Sequence, residues 1–297
     1  ADYGTDSGHD RGNGGYNDDF QRRRGLNFRC GPGGYGKLSG YHRPFRFGDR
    51  RSGDCFPVPG KQGKGEGDSS SSASPENTIQ GKLERLLSRI AGKPVEIQGS
   101  GRTDAGVHAY GQVANFHMDT DDTSEALMEK INSYLPEDIG VISVEEVPER
   151  FHSRLNAKSK TYRYRVLNSA VPHIFERRYV YQVPEHLDME AMRRAAILLT
   201  GSHDFKAFTS AKKGKKSTVR TVDSIQIDRV GEEIHFTFSG NGFLYHMVRI
   251  LMGTLLEVGT GAKKPEDMTA ILESGSRECA GPLVPACGLA LMEVRYS

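Results

Sequence analysis

The sequence predicts an α+β protein built of two similar α/β halves, each with mostly antiparallel sheet, and a cleft between the halves. Three observations carry this. From residue 77 onward, apolar residues recur with helical and strand periods in alternation. A comparable helix-and-strand set appears twice. Before residue 77 neither period is visible. With 297 residues the chain is long enough to bury a substantial core in one or two domains.

Residues 1–76 hold roughly half of the 35 glycines, in runs such as "GHDRGNGGYNDD" and "GKQGKGEGDSSSSASP". Such a segment has too little apolar surface to offset its ordering entropy, so it reads as a largely disordered N-terminal extension. Its cluster Arg22, Arg23, Arg24 is either a solvated basic tail or a contact to RNA phosphates. Order is expected to begin at Asn77, an N-cap with Gln80 three residues on. Ile79, Leu83, Leu86, Leu87 and Ile90 then make one apolar face of a helix over 78–91 that Gly92 ends.

"KPVEIQGSG" reads as a strand entering, and "QVANFHM" as a strand leaving, a loop rich in small residues. A helix over 124–135 follows, with Leu127, Ile131 and Leu135 on one face, then strands over 139–147 and 160–167. In the last of these Tyr162, Tyr164 and Val166 share a face. These elements form a first half over 77–167. The second half, 168–297, opens with a helix over 188–200 closed by Gly201 and continues with strands over 219–229 and 233–239. A long helix over 243–257 then carries Met247, Ile250, Leu251, Thr254, Leu255 and Val258 on its buried stripe. A short helix over 265–274 and the strand "GLALMEVRY" close the chain.

Composition excludes several classes of function. The 40 Lys+Arg and 38 Asp+Glu nearly cancel to +2, so a nucleic-acid partner has to be held by local basic surface and not by net charge. No stretch approaches the roughly 20 apolar residues of a membrane span, and a soluble protein is expected. Cys30, Cys55, Cys279 and Cys287 form no CxxC pair, and no HExxH-like cluster accompanies them, so no metal site is expected and the thiols read as reduced in an intracellular compartment. A first residue of Ala1 leaves that compartment open between cytoplasm and an organelle, mitochondrion or plastid.

No dinucleotide fingerprint, P-loop or GxSxG elbow is present. What remains is "GSGRTDAGVHAYGQ", in which small residues surround Arg102, Asp104 and His108. Small residues let backbone approach something bulky, and Asp104 is a candidate nucleophile or base. A buried unpaired aspartate tends to protonate, whereas a guanidinium keeps it ionised. Arg249, on the flank of the long helix's buried stripe, is the candidate partner. The bland reading makes Asp104 and Arg249 two unrelated surface charges.

Five motifs carry a family resemblance. "GSGRTDAGVHAYGQVANF", "FHSRLNAKSKTYRYRV", "GSHDFKAFTS" with "RTVDSIQI", "GNGFLYHMVRILMGTLLEVGTG" and "AGPLVPACGLALMEVRY" resemble, in the family's order, those of the TruA-type tRNA pseudouridine synthases over about 77–297. The resemblance implies the pseudouridine synthase fold and isomerisation of uridine to pseudouridine in the anticodon stem-loop of tRNA, at the positions conventionally numbered 38 to 40. It implies no cofactor and no metal, tRNA as partner, and a homodimer. It makes Asp104 the catalytic aspartate, Tyr162 the aromatic residue at the target uracil, and Arg249 the cation paired with the aspartate. Leu244 becomes part of the pocket's apolar wall, and Arg102 and His108 become RNA contacts near the flipped nucleotide. In a tRNA-modifying enzyme the stretch "SAKKGKKSTVR" supplies Lys212, Lys213, Lys215, Lys216 and Arg220 for phosphate contacts, with a solvated loop as the alternative. His152 and His246 read equally as core residues or as RNA contacts.

The resemblance weakens at the N-terminus. Only "NFRCGPGGYGKLSGYHRP" stands where the family carries its first strand and a tyrosine-aspartate motif, and Gly36 replaces the acidic residue. That degenerate first strand favours a second reading, a non-catalytic RNA-binding or ribosome-assembly factor that keeps the fold. The presence of Asp104, Tyr162 and Arg249 argues against it.

Overall fold

In the computed structural model, which describes residues 24–31, 78–211 and 217–297, the chain builds two sheets, each with helices packed against it. In chain order the first elements are β1 (Arg24–Gly31), α1 (Ile79–Ala91), β2 (Gln98–Gly99), β3 (His108–Ala109), β4 (Gln112–Met118), α2 (Ser124–Tyr134), β5 (Gly140–Val147) and β6 (Ser159–Leu167). They are followed by β7 (Tyr181–Gln182), α3 (Met189–Leu198), β8 (Gly201–Asp204), β9 (Val219–Val230), β10 (Glu233–Gly240), α4 (Met247–Gly259), α5 (Asp267–Ser274) and β11 (Leu289–Arg295). The α+β class expected from the sequence is the class observed.

The first sheet runs β2-β4-β1-β5 and is antiparallel throughout. Leu83, Leu86 and Leu87 of α1, with Leu127 and Ile131 of α2, pack on Ala114, Phe116 and Met118 of β4 and on Val141 and Val144 of β5. Thr78, and not Asn77, is the N-cap of α1: its side chain accepts from Gly81 N at 3.0 Å, and Gly92 closes the helix with φ +67°. Asn132 fastens α2 to β5 by bonding both the N–H and the C=O of Val141 at 2.8 Å.

β1 corrects the expectation that order begins at residue 77. "RGLNFRCG" lies between β4 and β5, with Leu26 opposite Phe116 and Phe28 opposite both Ala114 and Val144. Its intrinsic signal is weak, three alternating non-polar residues between glycines, but two neighbouring strands complete its ladder on both sides, and pairing overrides propensity. Arg22, Arg23 and the remainder of 1–76 lie outside the described residues.

The second sheet runs β3-β11-β6-β10-β9-β8, with β7 added alongside β6. β6, expected to close the first half at residue 167, pairs instead with β10 and β11 at the centre of this sheet. Its Tyr164 and Val166 join Phe236 and Ile234 of β10 in a core capped by α3, α4 and α5. The helix expected to start at residue 243 starts at Met247, because His246 at φ +65° interrupts it. The helix expected over 188–200 ends at Leu198, and Gly201, at φ +101°, opens β8. The entering strand expected from residue 93 shrinks to Gln98–Gly99, although Val95 and Ile97 are buried alternately before it.

Packing between α4 and the segment at 281–285 sets where α4 lies. Gly281 N donates to Thr254 Oγ1 at 2.8 Å, and a Cβ at Gly253 would run into the carbonyl of Pro282. Helix propensity alone predicts that Gly253→Ala gains about 1 kcal/mol. The collision reverses the sign: we expect a loss of roughly 2–3 kcal/mol, read from the urea midpoint of unfolding.

Candidate active site

Residues 99–111 leave the first sheet at β2 and re-enter it at β4, and between these points they touch the second sheet. His108 and Ala109 pair in parallel with Ala290 and Leu291 of β11. Tyr110 N and Gly111 N both donate to Leu291 O, at 2.8 and 3.3 Å, and a side chain at Gly111 would collide with the backbone of Met292. Gln112 binds the loop's other end, accepting from the Ser100 hydroxyl at 2.6 Å and donating to Gly101 O at 3.0 Å. Lys160 of β6 donates to Ser100 O at 2.7 Å, and its ammonium lies so close to Gly101 that a Cβ there would meet it. Burial, and secondarily Arg154, lower the pKa of Lys160.

The loop presents Asp104, 23% exposed, to Arg249, 13% exposed, across the sheet junction. Arg249 Nη1 donates to Asp104 Oδ2 at 2.8 Å, and its Nε donates to Val284 O at 2.8 Å. The guanidinium is therefore oriented by two fixed acceptors, and it satisfies a carboxylate that would otherwise stand dehydrated and unpaired. His246 Nε2 lies 3.4 Å from the same Oδ2. Burial is the largest cause of a lowered pKa at His246; Asp104 opposes that shift, and Arg249 and Arg277 reinforce it.

Tyr162 of β6 forms the adjoining wall. Its ring stands edge-on to Phe243, centroids 5.3 Å apart at 87°, and it packs against both the second core and the cluster of Val113, Leu291 and Val294. Burial, followed by the negative charge of Asp104, pushes its pKa up to about 12. At neutral pH it is a phenol beside a carboxylate, able to donate but not ionised. Leu244 is part-buried against the same core.

Asp104, Arg249 and Tyr162 are thus brought together, with Leu244 beside Phe243. The other expected residues are distributed differently. Arg102 is exposed on the same loop. His108 is part-buried, its Nε2 bonded to Arg178 O at 2.8 Å and its ring 4.8 Å from that of Tyr179, so one of its ring nitrogens is already engaged by protein. Arg220 bonds back to the carbonyls of Ser217 and Val219. Lys212, Lys213, Lys215 and Lys216 lie outside the described residues. His152, part-exposed, caps a turn by accepting at Nδ1 from Arg154 N at 3.1 Å.

Sequence reasoning missed Lys160, Gln112 and the carbonyl of Val284. Their signal is weak, since each acts through or upon backbone, which no residue pattern advertises. Among the described residues no cluster of three His, Cys, Asp or Glu side chains could hold a metal, and no helix is long and apolar enough to cross a membrane.

Comparison with known proteins adds an independent line. The profile of a family described as tRNA pseudouridine synthase matches residues 64–156 and 195–297. A protein from Bacillus sp. (strain KSM-64) named tRNA pseudouridine synthase A is 48% identical over 221 residues, covering 74% of this chain and 90% of that one. Proteins of the same name from Halalkalibacterium halodurans and Brevibacillus brevis are 46% and 45% identical, over 72% and 74% of this chain and 82% and 90% of theirs.

The raised pKa of Tyr162 has a measurable consequence for stability. From an ordinary value of 10.0 to about 12, the unfolded chain gives up a proton that the folded chain keeps. Stability contributed by the neutral phenol is complete below pH 10 and is lost by about pH 12, a total of roughly 3 kcal/mol at 1.36 kcal/mol per unit. Urea unfolding across pH 9–12 should fall more steeply for the wild type than for Tyr162→Phe; equal slopes would contradict this.

Proposed function

The chain belongs to the tRNA pseudouridine synthase family, and from that premise we propose that it isomerises uridine to pseudouridine in the anticodon stem-loop of tRNA, at the positions conventionally numbered 38 to 40, with Asp104 as the reacting carboxylate. The observation that carries this reading is Asp104 itself: one oxygen anchored by Arg249, the side chain still 23% exposed, beside the apolar wall of Tyr162.

A uridine stacked in a stem-loop cannot reach such a seat, so the nucleotide has to be extruded, and glycines at 99, 101, 106 and 111 let its ribose and phosphate approach backbone. Asp104 then acts at the ribose, either adding to C1′ or taking the proton from C2′. The N1–C1′ bond breaks, the uracil turns, and C5 bonds to C1′ as the Asp104–C1′ bond breaks on the first route or as the proton returns to C2′ on the second. C5 loses a proton and N1 gains one, so the change is an isomerisation with no oxidant, reductant or co-reactant. Tyr162, held protonated, stacks on or donates to the uracil and is not an anionic base. Leu244 and Phe243 keep water from the exposed ribose.

RNA grip comes from phosphate contacts outside the seat. Thr209 Oγ1 and Ser210 N donate to Tyr245 O, at 2.9 and 3.4 Å, so the chain departs toward the lysines at 212–216 from a point tied to the residue next to His246. Arg102, exposed on the catalytic loop, is a further contact. A homodimer belongs to the same reading, on family resemblance, and light scattering tests it.

With tRNA tritiated at uridine C5, wild-type chain should release tritium, and Asp104→Asn should release none above background while retaining tRNA affinity within about threefold. Unchanged release would remove Asp104 from the chemistry. Replacing Lys212, Lys213, Lys215 and Lys216 together with alanine should flatten the dependence of log Kd on log salt, by up to about 0.9 for each phosphate no longer neutralised. An unaltered slope would show that these lysines do not meet RNA.

A further inference from the structure

We propose that His246 is a second positioning residue for Asp104: a neutral imidazole donating from Nε2 to Oδ2, so that Arg249 and His246 hold one carboxylate oxygen together and Oδ1 is the oxygen presented to the ribose. The inference rests on the reading of Asp104 as the reacting carboxylate and adds to it a residue and an atom.

The backbone is the first observation. His246 is the one non-glycine residue with positive φ among the described residues, at +65°. That conformation is uncommon for any residue with a side chain, although histidine, like asparagine and aspartate, adopts it more readily than most. His246 also occupies the N-cap of α4, yet its side chain makes no capping bond. The ring turns instead to Asp104, with Nε2 at 3.4 Å from Oδ2. The left-handed turn at residue 246 thus puts the imidazole, and not a helix-capping group, beside the carboxylate.

The second observation fixes the proton. Nδ1 of His246 is buried and has no hydrogen-bond partner among the described residues. A bare acceptor is tolerated there more readily than a bare N–H, so the hydrogen resides on Nε2, the nitrogen that faces Asp104. An imidazolium would bury an unpartnered N–H. Three charged groups act on the ring: Asp104 favours protonation, while Arg249 and Arg277 oppose it together with burial, and the balance lowers the pKa. Tyr245 stacks on the ring at 3.7 Å and 27°, fixing its plane.

The geometry at the carboxylate follows. Arg249 Nη1 and His246 Nε2 both address Oδ2, and among the described residues Oδ1 accepts no hydrogen bond. One donor alone leaves the carboxylate free to turn about its last torsion, whereas two donors on one oxygen fix the other. At 3.4 Å, Nε2 and Oδ2 are within ion-pair range but do not form a hydrogen bond in this structure; catalytic hydrogen bonds are often long or misaligned until substrate fills the site, and the proposed bond is one that tightens in the complex.

The test compares His246→Leu, His246→Gln and Asp104→Asn with wild type in the C5-tritium assay, beside 15N NMR of the full wild-type chain. His246→Leu removes the donor and should lower kcat about tenfold or more with KM changed less than about twofold, as expected where only the reacting geometry is lost. Glutamine carries an amide N–H near the place of Nε2 and should recover at least about fivefold of that loss. NMR should find His246 as the neutral Nε2–H tautomer at pH 7. A leucine variant within twofold of wild-type kcat, a loss confined to KM, a glutamine variant no better than leucine, or an Nδ1–H or imidazolium ring would each overturn the proposal. Should His246→Leu not fold, the glutamine variant and the wild-type tautomer decide it. An active Asp104→Asn overturns the underlying reading, whereas an inactive Asp104→Asn with a fully active His246→Leu overturns this inference alone.

Discussion

A carboxylate and a guanidinium 145 residues apart in sequence meet at 2.8 Å, and much of the molecule is arranged to keep them there. Arg249 spends its Nε on Val284 O, so the pair depends on the segment at 281–285 as much as on α4. That segment is fixed in turn by the Gly281 bond to Thr254, by the close approach of Gly253 to Pro282, and by Tyr164, whose hydroxyl donates to Pro285 O at 2.7 Å. Breaking one member of such a part-buried pair costs more than the pair itself contributes, because the survivor is left dehydrated. The same logic makes Arg249 a poor candidate for conservative replacement by lysine, which lacks the second, angled donor.

Asp104 has to arrive from the opposite side, and the junction of the two sheets delivers it. Val113 of β4 packs on Leu291 and Val294 of β11. Ser153 N donates to Asn115 Oδ1 at 2.9 Å, its hydroxyl bonds Gln98 O, and Tyr296 donates to Ser153 O at 2.7 Å. These buried and part-buried polar bonds link β2 and β4 to Tyr296, just beyond the end of β11. A loop sewn to both sheets cannot swing with either alone, which suits the proposed role of Asp104, whose distance from a ribose would have to be fixed.

Elements whose burial is local were legible in the sequence. The stripe of Leu83, Leu86 and Leu87, the apolar run of "QVANFHM" and the period of Leu127 and Ile131 report burial directly, and each element formed close to where it was expected, although Ile79, expected on the same face, is 53% exposed at the first turn and β4 is buried on both its faces. Asp104 with Arg249 was legible as a chemical need, a carboxylate requiring a cation, but the meeting itself is a tertiary fact. What stayed hidden depends on distant partners. β1 is a weak strand rescued by β4 and β5, α4 starts late because His246 takes a left-handed conformation, and β6 joins the second sheet because its partners β10 and β11 lie far along the chain. His246 sits among apolar residues that read as core. Its role emerges only when the ring's two nitrogens are seen to be so differently placed, one facing Asp104 and one sealed without a partner.

The most direct measurement of the central claim is a crystal structure of the chain with an anticodon stem-loop RNA bound. The account predicts an extruded uridine with its ribose C1′ or C2′ within about 3.5 Å of Asp104 Oδ1, the distance of a near-attack arrangement, while Oδ2 stays on Arg249. A uridine seated elsewhere, or an Asp104 turned from Arg249 toward solvent with RNA in place, would contradict it.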